Sequence, residues 1–313
     1  MRKEAFLLLV FPAVAVFLGI FVGSYPTNPF HLDSLGKIII WDIRLPRTLM
    51  GISAGMALGL GGMVLQAVFR NPLVDTYILG VSSGVALGAA VAVSFLPMAG
   101  IAPLALIFGL LAVFTAYSLA RVNGRVSTVS LVLAGIIVTS LFSALLALLE
   151  LLLPSESLSG LVVWLMGSLS NATWETVDYS LPGVVVLAVL LYLLRFRLNV
   201  MSLGDEAELL GVNVPLWRGI FIFISALLTV LVISFTGIIG WVGLIVPHTA
   251  RMLVGPEHSK LIPATVSLGI TVMVLADVIV RLLPGDVPVG IITTVVGVPF
   301  FAYLLRKTGG GWE

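Results

Sequence analysis

Ten apolar stretches of near membrane-crossing length, joined by short polar connections, leave this chain almost no fold but a bundle of transmembrane helices. They cover 5–23, 45–69, 81–97, 101–120, 129–153, 176–196, 217–236, 240–254, 262–283 and 289–306. A helix needs about 20 apolar residues to cross the hydrocarbon core, and only helices or closed barrels satisfy their backbone groups there. An eleventh stretch, 158–169, is too short to span and reads as a re-entrant or interfacial helix. Only 10% of residues are charged, against roughly 25% in a soluble domain, so lipid must solvate most of the chain. No room is left among the 313 residues for a soluble catalytic domain, and 1–313 reads as one membrane domain. Met1-Arg2-Lys3-Glu4 imitates the start of a signal peptide. No small-x-small cleavage site with a polar mature domain follows, so 5–23 reads as a retained first helix.

Charge placement sets the orientation. With a cytoplasmic N-terminus, twelve of the 16 Lys and Arg residues fall on the inner side, and both termini lie inside. The four outer ones are Lys37, Arg44, Arg47 and Arg281. A net charge of +1 makes no electrostatic case for nucleic acid. The absence of cysteine removes disulfides, thiolate metal sites and cysteine nucleophiles.

Residues 44–84 combine a basic pair around Pro46, a glycine-lined span and an irregular inner end at Arg70-Asn71-Pro72-Leu73. Such a helix suits lining a path and docking something acidic. Arg44 and Arg47, three apart, share a face, and two guanidiniums at a helix N-terminus want a compensating anion. Asp42 is the local candidate. Gly51, Gly55 and Gly59 recur every four positions and form a stripe for close helix packing, with pore lining as the alternative. Asn71-Pro72-Leu73 and Ser127-Thr128 are two polar spots able to close the inner end of a path without a buried charge; both also read as simple turn and cap residues.

The inner segment 199–217, NVMSLGDEAELLGVNVPLW, is punctuated by Gly204 and Gly211, with Asp205 and Glu206 suited to a first helical turn. It predicts two short helices lying across the membrane surface, a stiff element able to transmit a push. No G-x-x-x-x-G-K-[ST] phosphate loop occurs, so any ATP must bind a separate chain. In 237–263 a short helix ends at Pro247-His248, with Arg251 on the same face. His248 has no second ligand or nucleophile at useful spacing, which favours a structural role over an intramembrane enzyme. His31 and His258 fall in loops. Asp277 is the carboxylate well inside a span, and Arg281 four residues later can neutralise it. An ion-coupled secondary transporter using Asp277 is the rival reading.

Several of these motifs, collinear from Arg44 to Lys307, closely resemble the permease subunits of ATP-driven importers for iron chelates, haem and cobalamin. The matches are the 44–84 block; Leu203, Gly204, Ala207, Leu210 and Gly211; Trp241 through Ile245 with Pro247, His248 and Arg251; Asp277 and Arg281; and Gly297, Pro299 and Phe301. The resemblance implies an all-α protein of about ten transmembrane helices with short re-entrant and cytoplasmic coupling helices. It implies a homodimer in the cell membrane, two ATP-binding cassette subunits holding ATP and magnesium, and an extracytoplasmic binding protein. No cofactor would sit on this chain. Leu203, Gly204, Ala207, Leu210 and Gly211 would couple to the ATPase, and Arg44, Arg47 and Arg281 would dock the binding protein. The cargo would be a bulky chelate, a ferric siderophore first, with haem or cobalamin as alternatives.

Overall fold

The structure, a computed structural model, describes residues 2–27, 33–122 and 125–308. His31 lies outside them, as does the side chain of Asp205. The α-helices are α1 (Arg2–Phe21), α2 (Ser34–Ile38), α3 (Leu45–Phe69), α4 (Val81–Phe95), α5 (Ile101–Ala120), α6 (Thr128–Leu152) and α7 (Ser155–Leu165). They continue with α8 (Trp174–Leu193), α9 (Arg195–Met201), α10 (Val214–Thr236), α11 (Val242–Val254), α12 (His258–Leu282) and α13 (Val289–Thr308). The described exception to helix and turn is a two-residue hairpin pairing of Arg121–Val122 with Arg125–Val126.

Six helical segments are long and apolar enough to cross a membrane, and four shorter apolar helices occupy the remaining expected stretches. The segment 158–169 falls mostly within α7, an 11-residue helix too short to span. The helix containing the glycine stripe starts earlier than its sequence suggests. α2, a π-helical turn Ile39–Arg44 and α3 run on as one 36-residue segment. The wider turn lies just ahead of Pro46, which has no N–H to donate, and π insertions absorb such breaks. Arg44 and Arg47 are therefore inside a helix, not at an N-terminus. The unfavourable dipole expected from their position does not arise.

α3 is the axis of the bundle. Some 94% of its span is buried, with α8, α10, α11 and α12 packed around it. This overturns the reading of α3 as the lining of a path. The glycine stripe is a packing surface instead: a Cβ at Gly55 would overlap the Gly269 carbonyl of α12, and one at Gly269 would overlap the Gly55 carbonyl. Gly51 faces Val274, and Gly59 faces Val246 and Thr265. Gly62 meets the Gly243 backbone at the start of α11 in the same way. Close backbone approach replaces side-chain interdigitation at these crossings. α5, α6 and α8, by contrast, bury only 28% of their spans and turn apolar side chains outward.

Candidate functional site

Arg44, Arg47 and Arg281, the three arginines expected on the outer side, gather with Asp277 at one end of the bundle. The Arg47 Nε lies 2.6 Å from Asp277 Oδ1, and the Arg281 Nε lies 3.1 Å from Oδ2. Asp277 is 1% exposed, so its charge depends on these partners. The Asp277–Arg281 pair follows the expected four-residue spacing along α12. The Arg47 contact crosses from α3 and was not foreseen in the sequence. Its signal was there, however: a basic residue expected on the outer side, and an intramembrane acid one helical turn from Arg281, expected on that side too. Arg44 is 3% exposed and donates to the carbonyls of Phe21 (2.9 Å) and Tyr25 (2.5 Å) and to Thr27 Oγ1 (2.9 Å). It thereby ties the segment after α1 to the long helix. Asp42, the expected counter-ion, is exposed. Arg281 also donates to the Gly19 carbonyl at 2.8 Å.

These contacts correct the picture of a surface trio offered for docking. Arg44 is a structural tie among backbone carbonyls. Arg47 and Arg281 remain reachable, because both border a polar cavity of about 290 Å3 with Ser24, Ser168, Ser170 and Asp286.

At the opposite end, the predicted coupling segment forms α9, then a 3-10 helix Gly204–Leu210, before α10 begins behind its N-cap Asn213. Gly204 (φ 71°) and Gly211 (φ 74°) both adopt left-handed backbone, which L side chains resist. Ala207 is fully buried and anchors the segment, while Leu203, Leu209 and Leu210 are exposed, Leu209 at 87%. Leu209 was overlooked in the sequence, since a helical wheel does not say which side of a 3-10 turn meets water. The segment is braced from below. The side chain of Arg70, itself left-handed at φ 52° where α3 ends, packs on Gly204.

Two further ties were not legible in the sequence. His258, expected in a loop, opens α12 and is buried, with its Nδ1 2.5 Å from Asn199 Oδ1 of α9. The short helix expected to end at Pro247-His248 continues to Val254, which lets Arg251 reach Gln66 Oε1 of α3 at 3.2 Å. α9 is thus joined to α12, and α11 to α3, by polar contacts.

The two expected gate spots adopt turn and cap geometry. Asn71 Oδ1 accepts from the Leu73 N–H at 2.9 Å, and Pro72 lies within that turn. Ser127 caps α6, accepting from the Ser130 N–H at 3.0 Å. Ser127 and Thr128 line a cavity of about 290 Å3 with Glu208, Val214 and Arg218, and Asn71–Leu73 is not among its lining residues. Arg218 donates to the Val126 carbonyl and holds that corner together.

Comparison with known proteins agrees with this architecture. The chain is 39% identical over 280 residues to the cobalamin import system permease protein of Halobacterium salinarum, covering 88% of this chain and 76% of that one. It is 39% identical over 287 residues to the molybdate import system permease protein of Haemophilus influenzae, covering 90% and 85%. A solved chain described as a metal-chelate type ABC transporter in an inward-facing conformation superposes with a TM-score of 0.92 at 35% identity, over 98% of this chain and all of that one. Residues 8–307 match the FecCD transport family, and the chain belongs to that family of ABC importer permeases, as an integral membrane protein.

Proposed function

We propose that two copies of this chain form the membrane pathway of an ABC importer for a metal chelate, each crossing the membrane ten times with both termini in the cytoplasm. ATP and magnesium bind on two separate cassette subunits, and a binding protein delivers cargo from outside. The observation that carries the reading is the coupling segment, where Leu203, Leu209 and Leu210 stand exposed on a short helix braced by buried Ala207 and by Arg70. Exposed leucines on a rigid element at the polar end of a membrane protein suit a partner cleft. Leu203, Gly204, Ala207, Leu210 and Gly211 keep the roles that the family resemblance gave them, with Leu209 added.

Docking of the binding protein is assigned to the cavity bordered by Arg47 and Arg281. Arg47 and Arg281 are balanced by buried Asp277 and rim Asp286, and Arg44, behind the cavity wall, brings one positive charge in excess. An acidic side chain from the binding protein would complete that balance, with an affinity that falls as salt is raised. Arg44 supports this surface from beneath. Asn71, Pro72, Leu73, Ser127 and Thr128 would close the inner end of the path. A ferric siderophore remains the leading cargo, with haem and cobalamin as alternatives; one relative is named for cobalamin and an equally similar one for molybdate.

The ion-coupled alternative is not favoured, because Asp277 is held between two arginines rather than free to exchange a proton. Proteoliposomes holding the permease, its cassette subunits and its binding protein test the reading. Uptake of a ferric siderophore should require ATP and survive a collapsed pH gradient. Uptake driven by a pH gradient without ATP would overturn it.

A further inference from the structure

A continuous groove runs along the lateral surface of the bundle between α5 and α10, away from both the arginine end and the exposed leucines of the coupling segment. Its body is a cavity of about 460 Å3 lined by Ile107, Phe114, Ile222 and Phe223. Its mouth is a second cavity, about 720 Å3, where Arg121 and Asn213 replace the apolar lining. Tyr117, Gly219 and Phe223 border both, so the two are one groove. Gly219 creates the waist: a Cβ there would press on the Tyr117 hydroxyl at 2.8 Å.

The groove has the polarity of a lipid. α5 ends, and α10 begins, at the same end of the bundle as the coupling segment, so the mouth lies where positively charged residues gather. Arg121 is exposed and is the charged residue lining the mouth. Asn213 is exposed and uses Oδ1 to accept from the Leu216 N–H at 3.1 Å, so its amide N–H groups are the part of the side chain left to donate to a ligand at the mouth. The body opens between exposed Phe114 and Phe223 onto the surface that bilayer hydrocarbon must cover. The length agrees as well: from Ile107 to Arg121 is fourteen residues of helix, about 21 Å, close to half of a bilayer about 40–45 Å thick with its headgroups.

We propose that this groove is a binding site for an anionic phospholipid of the cytoplasmic leaflet, one acyl chain lying along Ile107, Phe114 and Phe223 and the headgroup phosphate held by Arg121 and Asn213. Basic pockets between transmembrane helices on that side are suited to such headgroups. A second copy of the chain is a poorer occupant. A two-fold axis along the membrane normal that brought groove against groove would set both Arg121 side chains at the same depth, facing one another. The site adjoins the start of α10, directly after the coupling segment, so a lipid held there would rest against the element through which ATPase movement enters.

The test is lipid retention by the full-length protein, purified in mild detergent, exchanged into an equal mixture of phosphatidylglycerol and phosphatidylcholine, and read by native mass spectrometry. Wild type should retain phosphatidylglycerol preferentially. Arg121→Gln, an exposed change that leaves packing alone, should reduce that preference about fivefold, the share of one basic side chain near a membrane surface. Ile107→Trp, which narrows the body from its exposed rim, should reduce retention of both lipids while leaving the headgroup preference intact. Equal retention of the two lipids by wild type, or an unchanged preference in Arg121→Gln, would overturn the proposal. So would cross-linking that places a protein chain over Phe114 and Phe223 in the assembled transporter.

Discussion

At the arginine end, buried Asp277 of α12 is held by Arg281 on its own helix and by Arg47 of α3, while buried Arg44 of the π turn is tied to the backbone around the end of α1. At the coupling end, leucines stand in water on a short 3-10 helix held between two left-handed glycines. The first region is a closed polar network whose members need each other; the second is an apolar surface without a described cover. Buried charges stabilise only as a complete set, because each unpaired member carries the whole desolvation penalty. Exposed leucines add little to the fold and are informative about partners. Mutations at the arginine end should therefore act on stability, and mutations at the coupling end on assembly.

The largest effect belongs to Asp277→Asn. Removing this charge leaves Arg47 and Arg281 without their buried counter-ion, though both still border a polar cavity, so the change should destabilise by about 3 kcal/mol, read as a fall in the thermal midpoint of the purified protein. A negligible fall would show the polar cavity hydrating both arginines well enough to replace Asp277, and the contrast between the two ends would collapse. For the same reason, reversing Arg44 and Arg47 to glutamate should unfold this end before it reports on docking. Salt dependence of wild-type affinity for the binding protein is the cleaner measure.

Next comes the helix crossing that connects the two ends. Gly269→Ala places a methyl against the Gly55 carbonyl and should cost about 1–3 kcal/mol through overpacking. Because the contact is backbone on backbone, no rotamer change relieves it. A variant as stable as wild type would mean that α3 and α12 slide easily past one another.

Leu209→Glu with Leu210→Glu should leave stability within about 0.5 kcal/mol yet abolish co-purification of the cassette subunits. Gly211→Pro is a blunter probe, since φ 74° is closed to proline and the local chain must rearrange. Normal assembly and uptake in the double leucine variant would remove the coupling assignment.

The smallest effect is at the edge of the arginine end. The Asp33 carboxyl accepts from the Gly36 N–H at 2.7 Å and from the Tyr25 hydroxyl at 2.9 Å, which hold its pKa below the usual carboxylate range. A depressed folded pKa adds stability above the unfolded value, and that stability is lost as pH falls through the folded value. Amide exchange at the start of α2 should thus quicken on acidification below the normal carboxylate range, and Tyr25→Phe should move the onset to higher pH. An onset unmoved by that substitution would leave the Gly36 bond as the sole cause.

Helix positions, the short segment at α7, the glycine punctuation at Gly204 and Gly211 and the Asp277–Arg281 pair were all legible in the amino-acid sequence. Each depends on hydropathy or on spacing within one helix, which the chain carries locally. The burial of α3, the reach of Arg47 to an aspartate 230 residues away and the joining of His258 to Asn199 were decided by tertiary structure. Hydropathy gives the same score to a helix facing lipid and to one buried among its neighbours, because both surroundings are apolar. A charge count places a side chain on one side of the membrane but not at a depth. Which helix lies at the centre, and which charges meet, follows from how closely backbones approach at crossings such as Gly55 and Gly269, and that is a property of two helices together.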